Sequence, residues 1–147
     1  MSILGAYMQF TVQQSTACTE QVEQLREIFA KEWGHIDSFD GWIDGIAIPR
    51  PLIALGVKGE LLGGLAFTAY KHPSTEDSVL WVNALLVIAS QRRNGIGTRL
   101  IQEAGATSQK LGFAKLHVYT NVARIYQRLG WCIVSMSGQY SVLASAV

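Results

Sequence analysis

Val87-Ile88-Ala89-Ser90-Gln91-Arg92-Arg93-Asn94-Gly95-Ile96-Gly97-Thr98-Arg99-Leu100 decides how this chain folds. The apolar run that leads into it, Trp81 to Ala89, reads as a buried strand. The run stops at a polar loop carrying two arginines and two glycines. A helix then begins, with Ile96, Leu100, Ile101, Ala104 and Leu111 on one face. Strand, glycine-rich loop and helix N-terminus together suit an anion. Glycines let the backbone come close, while free N–H groups and the helix dipole favour negative charge. Arg92 and Arg93 add positive charge at the same place. A phosphorylated ligand is the first expectation.

Spacing narrows the kind of phosphate loop. The dinucleotide fingerprint needs G-x-G-x-x-G. Here only Gly95 and Gly97 fit, and Leu100 stands at the third place. No Gly-Lys-Ser or Gly-Lys-Thr occurs, which excludes the nucleoside-triphosphate loop. What remains is Arg92-x-x-Gly95-x-Gly97 after an apolar strand, a pattern that an ordinary strand–turn–helix junction with surface arginines can also produce. It resembles the acyl-CoA-binding motif R/Q-x-x-G-x-G/A of the GCN5-related N-acetyltransferase (GNAT) superfamily. Downstream, Leu116-His117-Val118-Tyr119 alternates like a strand. Val122 to Trp131 then resembles the family's LYEKLGF signature, with Gly130 as a helix stop and Trp131 in the Phe place. The likeness runs from about Leu52 to Trp131.

This resemblance implies a single domain over 1–147 of mixed α/β (α+β) class. Its central sheet would be mostly antiparallel, splayed at two parallel strands and flanked by helices. It also implies acetyl-CoA as co-substrate and no metal. The backbone of Leu85, Leu86 and Val87 would pair with the pantetheine arm. The amides from Arg92 through Arg93, Asn94, Gly95, Ile96 and Gly97 to Thr98 would hold the pyrophosphate. Tyr126 matches the tyrosine that often serves the family as general acid. Where the family often places a cofactor-contacting Asn this chain has Tyr119, and the nearest Asn is Asn121.

Composition bounds the rest. A chain of 147 residues, 49% apolar and 16% charged, can bury one sizeable core. The longest apolar stretch, Ala84 to Ala89, is too short to span a bilayer. No secretory signal is evident, and Cys18 and Cys132 lack metal-type spacing. A cytoplasmic protein with two reduced thiols is expected. Residues 1–80 carry ten Asp/Glu against five Lys/Arg, while residues 81–147 carry Glu103 alone against seven bases. A basic half suits a polyphosphate ligand, and an acidic half a cationic acceptor. No dense basic run with interleaved aromatics points to nucleic acid. High apolar content with little charge in a small domain points to a homodimer.

Along the chain, strands are expected at Met8–Val12, Leu52–Val57, Leu61–Tyr70, Val79–Ala89 and 115–119. Helices are expected after Thr19, over 96–110 and over 122–129. A last hairpin over 132–136 and 139–144 would turn at Gly138. His35 to Pro51 reads as a long loop or short helical turns. Acids beside aromatics there, with the polar turn after it, give the acceptor candidates Trp33, Asp37, Asp40, Trp42, Asp44 and Tyr70. Asn83 is the polar interior side chain of the central strand and could order a water. His72 is the better histidine candidate for a base, His117 the weaker. Acetyl transfer to a primary amine, on a small molecule or a peptide, is the leading reading, with small cationic amines slightly ahead. A non-catalytic acyl-CoA-binding or regulatory domain is the alternative.

Overall fold

The computed structural model describes residues 9–16, 19–34, 41–92 and 94–145. Its elements are β1 (Phe10–Gln14), α1 (Glu20–Trp33), β2 (Trp42–Ile43), β3 (Ile46–Ala47), β4 (Leu52–Gly56), β5 (Leu61–Lys71), β6 (Ser78–Val87), α2 (Ile96–Lys110), β7 (His117–Thr120), α3 (Ala123–Arg128), β8 (Cys132–Ser137) and β9 (Tyr140–Ala144). Seven strands form one sheet in the order β1-β4-β5-β6-β7-β9-β8. Every pairing is antiparallel except β6 with β7. The mixed, mostly antiparallel sheet with its parallel pair is the fold class the sequence implies.

Both faces of the sheet are covered over β4, β5 and β6, which explains their near-continuous apolar runs. Phe29, Leu25 and Val22 of α1 pack with Ile53, Ala66, Ala84 and Leu86 on one face. Leu100, Ile101 and Ala104 of α2 pack with Leu52, Leu65, Phe67 and Leu80 on the other. Gly63 and Gly64 have no room for a side chain, Gly63 beside the β6 backbone and Gly64 under Leu25 of α1. A Cβ on Gly63 would fall 2.7 Å from the Leu86 carbonyl oxygen. Thr19 caps α1 by accepting from Val22 N–H at 3.3 Å, as its residue type suggests.

Two local expectations need correction. Part of the expected loop His35–Pro51 is a two-stranded hairpin, β2 with β3. Asp44 and Gly45 turn it, both at positive φ (51° and 81°), as a type I′ turn demands. The central strand ends at Val87, because Ala89–Gln91 winds into a short 3₁₀ turn that starts the loop. The expected last hairpin forms as β8 and β9 around Gly138, and β9 lies between β7 and β8 in the sheet. The start of the first expected strand at Met8, together with Cys18, lies outside the described residues.

Candidate functional site

The site forms where β6 and β7 part. Their only ladder contact is Trp81 opposite His117. Immediately beyond it, Asn83 is the extra residue of a β-bulge, since Phe67 pairs with Val82 but Ala66 pairs with Ala84. A bulge raises local twist and bends its strand. Here it also reverses the alternation of side chains. Leu80 and Val82 face the α2 layer before it, Leu85 and Val87 after it. β6 runs on to Val87 without β7 beside it, while the far edge of β7 is taken by β9.

This leaves a stretch of β6 edge unpaired. Ile88 N–H bonds Leu62 O at 2.9 Å on the β5 side. By the two-residue alternation of a strand, Leu85 and Val87 turn their N–H and C=O to the open side. One of these groups is already used: Val87 O accepts from Arg92 Nε at 2.9 Å. Leu86 is turned away. Its backbone faces β5 and its side chain lies in the α1-side core, so of the three residues only Leu85 and Val87 offer backbone groups to the open side.

The N-terminus of α2 supplies the donors. Its first hydrogen bond runs from Arg99 N–H to Gly95 O at 3.1 Å. The N–H groups of Ile96, Gly97 and Thr98 therefore lack intrahelical acceptors. Gly95, at φ 81°, is the N-cap and offers no side chain to cover them. Asn94 folds inward instead, its Nδ2 donating to Gln91 O at 3.1 Å, and so braces the loop. Arg93 lies outside the described residues.

These parts meet in one cleft of about 510 Å³, lined by Leu85, Val87, Arg92, Gly95, Ile96, Gly97, Thr98, Ile101, Ile125, Arg128 and Leu129. Its volume is in the range of small-molecule sites. Walls of aliphatic side chains, an unpaired strand edge and an amide-rich helix end fit a long, partly apolar, phosphorylated ligand. Ile125, Arg128 and Leu129 were missed in the sequence. Their i, i+3, i+4 spacing on α3 is the signal that puts them on one face.

The block that closes α3 has a physical reason of its own. Gly130 N–H bonds Gln127 O at 3.0 Å, and Trp131 N–H bonds Tyr126 O at 3.1 Å. With Gly130 at φ 90°, this is a Schellman stop. Its hydrophobic contact is Tyr126 against Trp131, ring centroids 5.0 Å apart. Tyr126 is 2% exposed, and it is absent from the cleft wall that its neighbours form. Burial pushes its phenol up to about 12, so the O–H stays protonated at neutral pH. Asn121 is exposed and likewise off the cleft wall.

The acceptor candidates divide. Asp37 and Asp40 lie outside the described residues. Trp33, Trp42 and Tyr70 are exposed, so they are not core anchors. Asp44 Oδ2 accepts from Ser78 Oγ at 2.8 Å, which ties the β2–β3 hairpin to the start of β6. Asn83 is exposed at its bulge rather than interior. His72 Nδ1 accepts from Ser74 N–H at 3.0 Å. Its ring lies 5.2 Å from that of His117, which also packs on Trp81. His117 is buried, and its Nδ1 has no hydrogen-bond partner. Burial chiefly, then the charge of His72, holds its pKa below the ordinary histidine value. Among the described residues no group of three or more His, Cys, Asp or Glu is placed to hold a metal ion, and no helix is long and apolar enough to cross a membrane.

The sequence profile described as the acetyltransferase (GNAT) family matches residues 19–131. Solved structures share the fold at low identity. Arabidopsis thaliana NAA60 in complex with acetyl-CoA superposes at TM-score 0.65 with 15% identity, over 95% of this chain and 100% of that one. The NatC complex bound to Gag peptide and CoA gives 0.66 and 13%, over 93% and 96%. The Escherichia coli N-acetyltransferase YhbS in complex with CoA gives 0.66 and 14%, over 94% and 81%. No curated protein matches the chain in sequence.

Proposed function

This chain belongs to the acetyltransferase (GNAT) family, and from that premise we propose that it transfers an acetyl group from acetyl-CoA to a primary amine, a small cationic amine first among the acceptors. One observation carries the reading. The open edge of β6 at Leu85 and Val87 and the free amides of Ile96 to Thr98 share one cleft. An acyl-pantetheine arm, itself a chain of amides, completes the strand edge. A pyrophosphate lies against the helix end, with Arg92 beside it.

Acetyl-CoA supplies an activated thioester. The chain's own residues orient it and handle protons. A neutral amine nitrogen bonds to the acetyl carbon, the C–S bond breaks, and the thiolate takes a proton. Tyr126 O–H is the proposed donor, replenished from solvent. The amine proton leaves to water, for which exposed Asn83 at the bulge offers a hydrogen-bonding side chain. Exposed Trp42 and Tyr70 with Asp44 suit an ammonium group by cation–π and charge contact.

The test is thiol release from acetyl-CoA with a panel of polyamines, aminoglycosides, amino acids and peptide N-termini, with acetylated products identified by mass spectrometry. Peptides belong in the panel because one of the similar structures is bound to a peptide and CoA. Turnover with an amine supports transfer. A second reading, a CoA-binding domain without transfer, is favoured by the absence of any carboxylate or imidazole among the described residues lining the cleft. Tight CoA binding with no amine acetylated would select it.

A further inference from the structure

The side chain of Arg92 stands on the strand edge that an acyl-pantetheine arm would use. Its Nε donates to Val87 O at 2.9 Å. The loop puts it there. Gln91 N–H bonds Ile88 O at 2.8 Å, which winds residues 89–91 into a tight turn. Asn94 Nδ2, on Gln91 O at 3.1 Å, braces that turn. A residue five positions beyond Val87 is thereby returned to the end of the strand it left. The Arg92 side chain is exposed, and among the described residues it makes no other hydrogen bond or ion pair.

Val87 O is an open ladder position. Val87 lies opposite Gly63, in register with β5, and turns its carbonyl to the side where no strand runs. A carbonyl at a strand edge takes a donor from water, a side chain or a ligand. The guanidinium fills that need with a charge-assisted bond. A ligand amide donating to Val87 O would have to come to about 2.9 Å from the same oxygen on the same open side. The side chain and the arm therefore exclude one another.

We propose that Arg92 is a displaceable latch over the open edge of β6: in the free protein it occupies the Val87 carbonyl, and it swings off when an acyl-pantetheine arm pairs there. This rests on the acetyl-CoA reading above. The cost of release falls on the arm alone, because a phosphate at the α2 end makes no demand on Val87 O. The swing is a rotation of one exposed side chain, a matter of nanoseconds. It lowers affinity without slowing association. Removing the guanidinium therefore raises the arm's share of the affinity, whereas a residue that only contacts phosphate would leave that share unchanged.

The experiment is calorimetric titration with CoA and with adenosine 3′-phosphate 5′-diphosphate, the same molecule without its arm. It uses the wild type, Arg92→Ala and Arg92→Met, the last keeping an apolar stem without the donors. Arg92 is exposed, so both variants should keep the wild-type melting temperature. The ratio of the two dissociation constants reports the arm's share. In both variants that preference for CoA should rise roughly three- to tenfold over the wild type, the scale of one charge-assisted bond at an exposed site. An unchanged ratio, with both ligands weakened alike, would make Arg92 a phosphate contact only and overturn the latch. A lower ratio would make it a support for the arm, and a gain in Arg92→Ala alone would trace the effect to bulk; either overturns it too. Failure of the wild type to bind CoA would instead remove the acetyl-CoA reading, and the latch with it.

Discussion

At the scale of single residues, Tyr126 carries two duties that must be separated. Its ring and Trp131 form the apolar contact of the helix stop, a reason for the Tyr-x-x-x-Gly-Trp spacing that requires no chemistry. Its O–H is the proposed acid. Tyr126→Phe keeps the ring, so melting temperature and CoA affinity should hold while turnover falls. A thiol is a good leaving group, so the drop belongs at the lower end of general-acid effects, on the order of 10²-fold. Steady-state rates on any accepted amine check this, and turnover within about twofold of wild type would leave Tyr126 a packing residue only. The identity of this residue was legible because spacing to Leu129-Gly130-Trp131 is a local property. Its position off the cleft wall was not, since that depends on how a six-residue helix rolls against the sheet.

At the scale of elements, the strand–loop–helix from β6 to α2 could be read from residue type alone. Its apolar run, loop glycines and amphipathic helix all point the same way. The bulge at Asn83 was harder to see. The change from Leu80 and Val82 to Leu85 and Val87 on one face breaks the period of two. A strand buried on both faces hides that break in a continuous apolar run. The β2–β3 hairpin was signalled by Asp44-Gly45 but masked by flanking glycines and prolines that read as loop. Beside the bulge, the β6–β7 junction yields a pH prediction. His117 is held neutral in the fold by burial, with His72 and Lys115 opposing its charge and the Leu80 backbone favouring it. Its folded pKa lies below the unfolded value of 6.5, so the unfolded chain binds the proton first. The stabilisation is present above 6.5 and is lost as pH falls below that value toward the folded pKa. Denaturant midpoints should decline over this range in the wild type. They should decline less in His117→Gln, and parallel curves for the two would contradict the assignment.

At the scale of the whole molecule, the sheet order is what the sequence leaves open. Nothing local tells β9 to insert between β7 and β8. That choice rests on long-range pairing such as Val118 with Leu143. Its consequence is an edge strand, β8, exposed along all six residues, in a segment, Trp131–Val147, without a single charge. Native edges are usually guarded by charge or proline. The homodimer expected from composition therefore has a place to form, edge to edge across a two-fold axis. Sedimentation should give a dimer mass that Val134→Lys converts to monomer, whereas a concentration-independent monomer in the wild type would contradict it. The proposed cofactor lies in the cleft between β6 and α2. Gly97 faces it, and an added Cβ there meets only Val87 Cγ2 at 3.7 Å, so Gly97→Val should fold with unchanged far-UV circular dichroism while filling the space beside the helix amides. Calorimetric titration of both chains with CoA is the most direct test. The expected result is saturable one-to-one binding to the wild type and none to Gly97→Val. Absence of binding to the wild type, or equal affinity in the two chains, would contradict it.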